Sequence, residues 1–244
     1  MQTTPINNDT RVSIAPGFAW DGQSAYLFDI DGTLLRSRDR VHIDSVAIAV
    51  RSAMGIEVSL DGVPVQGSTD TAIVRDACRL AGISEEELEP QIAAIREAMC
   101  ASVRQRRGEL NLYLMPGVHQ TLEHLARRGA LLGVATGNLE TIGWMKLETI
   151  GLREWFRFGG FSDHFPVRAE LIAKAAEKAR ALAGANATVC VVGDTPRDIA
   201  AARANHLPVI AVATGHSKYE ELLALEPEVC AASLAALLAT QVEP

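Results

Sequence analysis

AYLFDIDGTLL, residues 25–35, is the stretch on which the fold turns. Its apolar, β-branched opening, Ala25 to Ile30, reads as a parallel strand buried inside a sheet. Asp29 and Asp31 fall at the carboxyl end of that strand, followed by Gly32 and Thr33. In an open parallel sheet the ligand crevice lies beyond the carboxyl ends of the strands, so both carboxylates face it. Residues i and i+2 project to the same side of an extended chain, and a turn at Gly32 lets the two acids flank one substrate atom from different angles. One is then placed to attack and the other to handle protons. A carboxylate attacks phosphorus to give an acyl phosphate when a cation offsets the repulsion between them.

Working outward, the same strand signature recurs in LLGVAT (Leu131 to Thr136), VCVVG (Val189 to Gly193) and VIAVAT (Val209 to Thr214), with FRFGG (Phe156 to Gly160) as a weaker short strand. Between these runs lie apolar residues at three- and four-residue intervals, as in GVHQTLEHLARRG, ETIGWMKLETIGL, RAELIAKAAEKARALAG and PRDIAAARANHL. That spacing predicts helices. Strand and helix in alternation imply an α/β domain with a doubly wound parallel sheet.

The interval from Leu35 to Met115 differs, because helical patterns dominate it and no central strand is visible: IDSVAIAVRSAMG, DTAIVRDACRLAG and SEEELEPQIAAIREAMCASVRQRR. Ser84 followed by Glu87 is a capping-box signature, which predicts a long helix starting there. Pro116 and Gly117 mark the return to the α/β pattern. The expected organisation is a lead-in over residues 1–24, a catalytic core over 25–34 and 116–244, and a small α-helical cap domain over 35–115. The polar opening, Met1 to Thr10, has too few apolar residues to offset the entropy of ordering and is expected to be a loose tail.

A second acidic cluster, GDTPRD, places Asp194 and Asp198 directly after VCVVG. A hard divalent cation such as Mg2+ takes carboxylate oxygens, which Asp29 and Asp194 can supply from neighbouring strand ends, with Asp198 at the edge of that site. Thr136, Gly137 and Asn138 end LLGVAT, where a hydroxyl and the N–H groups of a helix start suit phosphate oxygens. Arg168, opening RAELIAKAAEKA, is the candidate guanidinium for gripping phosphate, with Lys174 and Lys178 as rivals deeper in the helix.

Bulk properties narrow the partners. The chain has 244 residues, 23 basic and 30 acidic, for a net charge of −7, which gives no electrostatic reason to bind nucleic acid or an anionic membrane. A small-molecule partner is expected instead, and the chain is expected to act as a monomer or homodimer. Cys78, Cys100, Cys190 and Cys230 show no CxxC pair or zinc-ligand spacing and read as reduced thiols. The first residues carry neither a basic start nor an apolar leader, so a cytoplasmic location is the default.

DIDGT (Asp29 to Thr33), Thr136, Arg168 and GDTPRD, in this order and strand placement, resemble the four motifs of the haloacid dehalogenase superfamily. That resemblance implies a Rossmann-like core, Asp29 as nucleophile and Asp31 as acid then base. It also implies Thr136 and Arg168 on phosphate, and Mg2+ held by Asp29, the Asp31 backbone carbonyl and Asp194, with Asp198 supporting the metal shell. The third motif departs from the commoner lysine. The helical interval resembles the family's cap between its first and second motifs. GSTD (Gly67 to Asp70) and VATG (Val212 to Gly215) are most similar to phosphoglycolate phosphatase-like hydrolases, with Ser68, Thr69 and Asp70 as candidates for substrate specificity. The implied activity is hydrolysis of a small phosphorylated metabolite. A phosphomutase and a non-catalytic binding protein on the same fold stay open as alternatives. Dehalogenases of this type lack the second aspartate, and an imine-forming phosphonoacetaldehyde hydrolase needs a cap lysine, whereas no lysine precedes Lys146. Bland roles also remain: Thr136 as a helix cap, Arg168 as a solvated helix residue, and GSTD as a loop and N-cap.

Overall fold

The computed structural model of the protein describes residues 9–163 and 165–241. His164 and most of the polar opening therefore lie outside the described residues. The strands are β1 (Val12–Ile14), β2 (Ala25–Phe28), β3 (Leu35–Ser37), β4 (Leu112–Leu114), β5 (Leu131–Ala135), β6 (Phe158–Gly160), β7 (Val189–Gly193), β8 (Val209–Val212) and β9 (Val229–Ala231). The α-helices are α1 (Val41–Met54), α2 (Asp70–Leu80), α3 (Glu85–Leu88), α4 (Ile92–Gln105), α5 (Val118–Arg127), α6 (Glu140–Thr149), α7 (Arg168–Ala183), α8 (Pro196–Ala204), α9 (Tyr219–Leu223) and α10 (Leu234–Ala239).

Seven strands form one sheet in the order β1-β9-β8-β7-β2-β5-β6. All its pairings are parallel except β1 against β9. Alternate residues of the central strand serve opposite faces: Tyr26 and Phe28 join one apolar cluster with Leu122, Leu125 and Leu237. Ala25 and Leu27 join the other, with Leu171, Ile172 and Ile199. Burial on both faces explains why these strands read as continuous apolar runs. The fold class is the expected one, a Rossmann-like α/β sheet between two helical layers.

Register is what positions the site. Phe28 lies opposite Val134 of β5 and Val192 of β7, so the three central strands end level with one another. Asp29, Thr136 and Asp194 thus emerge side by side, and the Asp29 N–H still bonds the Val192 carbonyl at 2.8 Å.

The interval after β2 differs from expectation in two respects. Its ends are strands: β3 and β4 pair antiparallel as a two-stranded ribbon, Leu35 opposite Leu114 and Ser37 opposite Leu112. They frame the helices α1 to α4, whose apolar faces form a cluster that includes Val46, Val50, Ile95 and Met99 and takes in Leu139, Ile142 and Met145. The long helix does not start at Ser84. The capping box of Ser84 and Glu87 is present, but it opens only the short α3. Pro90 follows in a 3-10 turn over Glu89–Gln91, and the long helix α4 begins at Ile92. Proline lacks the N–H that a continuous helix would require. The lead-in also contributes an edge strand, β1. FRFGG supplies β6 through Phe158–Gly160, parallel to β5 at the sheet edge.

Candidate active site

The turn after β2 is made possible by Gly32, whose φ of 91° is the left-handed region that glycine enters without steric cost. A Cβ on Gly32 or on Gly215 would collide with the Asp194 carboxylate, so the two glycines form a cradle for it. Thr33 Oγ1 donates to Asp194 Oδ1 at 3.1 Å inside that cradle.

On the β7 side, α8 begins with a second capping box. Asp198 Oδ2 accepts from Thr195 N at 3.0 Å and from Thr195 Oγ1 at 2.7 Å. Its other oxygen accepts from Arg168 Nε at 2.9 Å. Asp198 thus orients both the loop and Arg168. Arg168 opens α7 and is 8% exposed, buried rather than solvated. Its Nη2 approaches Asp198 Oδ1 at 2.6 Å and Asp29 Oδ2 at 3.0 Å. Neither approach has hydrogen-bond alignment, which leaves that nitrogen's protons without an acceptor. The rivals lie elsewhere: Lys174 pairs with Glu177, and Lys178 Nζ donates to the Gly159 carbonyl.

Asp29, Asp194 and Asp198 each offer an oxygen within 4.8 Å of the others. Burial, which penalises the charged form, pushes the Asp29 carboxyl up to about 6; Arg168 pulls it back, while Asp198 and Asp31 push it further. Burial followed by repulsion from Asp29 and Asp198 holds Asp194 well above the carboxylate range. For Arg168 burial works against the charge, but Asp198 and Asp29 outweigh it and keep the guanidinium firmly protonated.

Asp31 sits in a different environment. Lys146 Nζ lies 2.8 and 2.7 Å from its two oxygens, and Asn138 Nδ2 donates to Oδ2 at 2.8 Å. Burial alone would raise this carboxyl, but Lys146 and His42, with the hydrogen bonds, prevail and lower it. Lys146 was not among the residues singled out in the sequence. Lys146 follows Ile142 by one turn of α6 and is buried with it, and its pairing with Asp31 arises only from tertiary packing.

The loop after β5 also differs from expectation. The N–H groups that open α6 are taken by carboxylates, Leu139 N by Asp70 at 2.8 Å and Glu140 N by Asp163 at 2.7 Å. Gly137 lines the cavity, and its carbonyl accepts from Asp70 N at 2.7 Å. The Asn138 amide turns toward Asp31, Thr136 and Lys146. In GSTD, Thr69 is the N-cap of α2, accepting from Ala72 N at 3.2 Å, and donates to the Pro166 carbonyl at 2.7 Å. Ser68 and Asp70 line the cavity, and Asp70 Oδ2 also meets His42 Nε2 at 3.0 Å.

These residues enclose a cavity of about 280 Å³. Beyond the acids its wall includes Arg36, His42 and His216, with Ile43, Val46 and Ile73. Among the described residues no helix is long and apolar enough to cross a membrane.

The family model for haloacid dehalogenase-like hydrolases matches residues 23–206, and the chain belongs to that family. A phosphoglycolate phosphatase of Agrobacterium fabrum (strain C58) is 31% identical over 221 residues, covering 86% of this chain and 89% of that protein. One of Xanthomonas campestris pv. campestris is 31% identical over 199 residues, covering 79% and 84%. A solved structure described as a "predicted phosphoglycolate phosphatase" from Haemophilus somnus 129PT shares the fold, with a TM-score of 0.62 at 20% identity over 90% of this chain and 98% of that one.

Proposed function

We propose, from the premise that this chain is a phosphatase of the haloacid dehalogenase-like family, that it hydrolyses a small phosphomonoester, phosphoglycolate-like or a sugar phosphate, through an aspartyl-phosphate on Asp29. The observation that carries this reading is a charge imbalance. Three buried carboxylates, Asp29, Asp194 and Asp198, share the Arg168 guanidinium, and two of them are pushed toward the neutral acid. Such a cluster of hard oxygen donors fits Mg2+, with Asp29, the Asp31 carbonyl and Asp194 as ligands and Asp198 beside them. When bound, the ion would neutralise these carboxylates and phosphate oxygens together.

The chain's own groups then divide the work. An oxygen of Asp29 forms a bond to phosphorus as the ester P–O bond breaks, and Arg168 Nη2, with protons to donate, binds a phosphoryl oxygen whose charge grows in the transition state. The Thr136 hydroxyl is the second donor. The leaving oxygen takes a proton from Asp31, which rests as a carboxylate, so that proton enters with the substrate as its monoanion. Water next attacks phosphorus, breaking the acyl phosphate bond and giving a proton to Asp31, which passes it to the departing phosphate; inorganic phosphate leaves as the monoanion, and the Asp29 and Asp31 carboxylates are regenerated. The helical interval acts as the cap, supplying His42, Ser68 and Asp70 to a cavity that suits a compact anionic substrate and keeps out bulk water.

Asp29→Asn tests the reading. It is expected to reduce turnover of p-nitrophenyl phosphate by at least about a thousandfold, measured as nitrophenolate release. Activity within about tenfold of the parent protein removes the nucleophile assignment. A panel of phosphorylated metabolites, scored for inorganic phosphate against isomer formation, identifies the substrate and separates hydrolysis from phosphoryl transfer.

A further inference from the structure

Lys146 has no task in the scheme above, yet it is 2% exposed, and a buried ammonium is costly unless it is fully paired. Its three donors meet three acceptors: Asp31 Oδ1 at 2.8 Å, Asp31 Oδ2 at 2.7 Å and Asn138 Oδ1 at 2.8 Å. The last contact has consequences beyond the ion pair. Lysine can only donate, so it fixes the Asn138 oxygen on its own side, and the amide NH2 must face the opposite way. That group reaches Asp31 Oδ2 at 2.8 Å and Thr136 Oγ1 at 2.7 Å. Thr136 Oγ1 also receives the Asn138 backbone N–H at 3.3 Å. With two N–H groups pointing at its oxygen, the Thr136 hydroxyl is left to donate its own proton, and the cavity it lines is where an acceptor would sit. One ammonium thereby sets the orientation of three polar groups in the site.

We infer that Lys146 is the positioning residue of this enzyme. It holds the Asp31 carboxylate within reach of the leaving oxygen and, through Asn138, turns the Thr136 hydroxyl toward the phosphate. Lys146 does not touch the reacting atoms; it acts through Asp31 and Asn138. The inference rests on the phosphatase reading and deepens it.

A buried pair that merely fills space would lower all activities alike, whereas a positioning role is selective for the leaving group. An alkoxide needs the proton that Asp31 delivers, while p-nitrophenolate leaves without one. Because kcat/KM reads events up to departure of the alcohol, Lys146→Met is expected to lower it about a thousandfold for β-glycerol phosphate but only about tenfold for p-nitrophenyl phosphate, the share that the Thr136 hydroxyl carries. Lys146→Arg should recover part of the alkyl ester activity. In an Asp31→Asn background, Lys146→Met should cost no more than about a further tenfold with the alkyl ester, because the Asp31 carboxylate is already gone and only the share acting through Asn138 is left to lose. Thermal unfolding checks that the variants fold; if Lys146→Met does not, Lys146→Gln is read by the same alkyl-to-aryl ratio, which should fall at least about tenfold. Equal losses with the two esters, or losses that multiply in the Asp31→Asn background, overturn the inference. Turnover of either ester by Asp29→Asn within about tenfold of the parent protein is a separate result that removes the nucleophile assignment, and hydrolysis of neither ester by the parent protein overturns the phosphatase reading itself.

Discussion

Two acidic regions meet at the end of β2, and they are built on opposite electrostatic terms. On one side Asp29, Asp194 and Asp198 crowd around Arg168, and the Asp29 and Asp194 carboxyls are pushed up by burial and by neighbouring carboxylates, Asp198 among them for both. On the other side Asp31 is matched by Lys146 and Asn138, and its carboxyl is lowered despite burial. The first arrangement becomes favourable only when more positive charge arrives. The second is complete in itself. Two carboxylates two residues apart are thus driven in opposite directions, the pattern by which one site assigns different roles to chemically identical groups.

Removing the guanidinium from the acidic side should have the largest effect on this contrast. Arg168→Met is expected to lower kcat about a thousandfold, as loss of a transition-state charge donor does. Lys146 is held by Asp31 and Asn138 and cannot take over. If steady-state turnover of p-nitrophenyl phosphate stays within about tenfold of the parent, Arg168 is only a counter-ion and the phosphate grip lies with other donors.

The deficit of positive charge also makes a thermodynamic prediction. For a carboxyl whose pKa is higher folded than unfolded, the folded state binds more protons between the two values. Its stabilising contribution is full below the unfolded pKa near 3.8 and is lost as pH rises through the folded value, about 6 for Asp29. Under the proposed function Mg2+ would bind the ionised carboxylates, so its stabilisation should grow over that same window. At about pH 7.5, with the ion at about 100 times its dissociation constant, the gain is about 2.7 kcal/mol, and it should nearly vanish at about pH 4.5. Urea unfolding with and without Mg2+ at the two pH values measures the difference. Asp194→Asn should remove most of the gain at the higher pH. A gain that is equal at both pH values, or untouched by that substitution, would show that the cluster is not the binding site.

The sequence made the acidic side more legible than the other. Asp29 and Asp194 stand directly after apolar runs that could only be buried strands, with Asp198 in the first turn of the helix that follows, and parallel pairing brings such strand ends together. Lys146 was hidden because α6 is apolar on several faces, so periodicity in ETIGWMKLET marks no solvated side against which a buried lysine would stand out. The ribbon of β3 and β4 was hidden for a different reason. Leu35–Ser37 and Leu112–Leu114 are three residues each, shorter than any pattern can specify, and they pair only because the helices between them fold back. Position along β2 placed Asp31 at the site, but its neighbours come from α6 and α1, and only tertiary packing reveals them.

The smallest predicted effect lies where the loop before α2 meets the segment before α7. Thr69 stands between Ser68 and Asp70, which line the cavity, yet its own hydroxyl caps α2 and bonds the Pro166 carbonyl. Thr69→Ala should therefore cost about 1 kcal/mol of stability, the usual loss for an N-cap. It should raise KM a few-fold while leaving kcat nearly unchanged, because the substitution loosens how GSTD seats on the core without touching either acidic region. Denaturant midpoints and steady-state kinetics on one preparation measure both. A fall in kcat approaching that of Arg168→Met would erase the division drawn between the regions, since a loop residue facing away from the cavity would then be setting the geometry of the carboxylates.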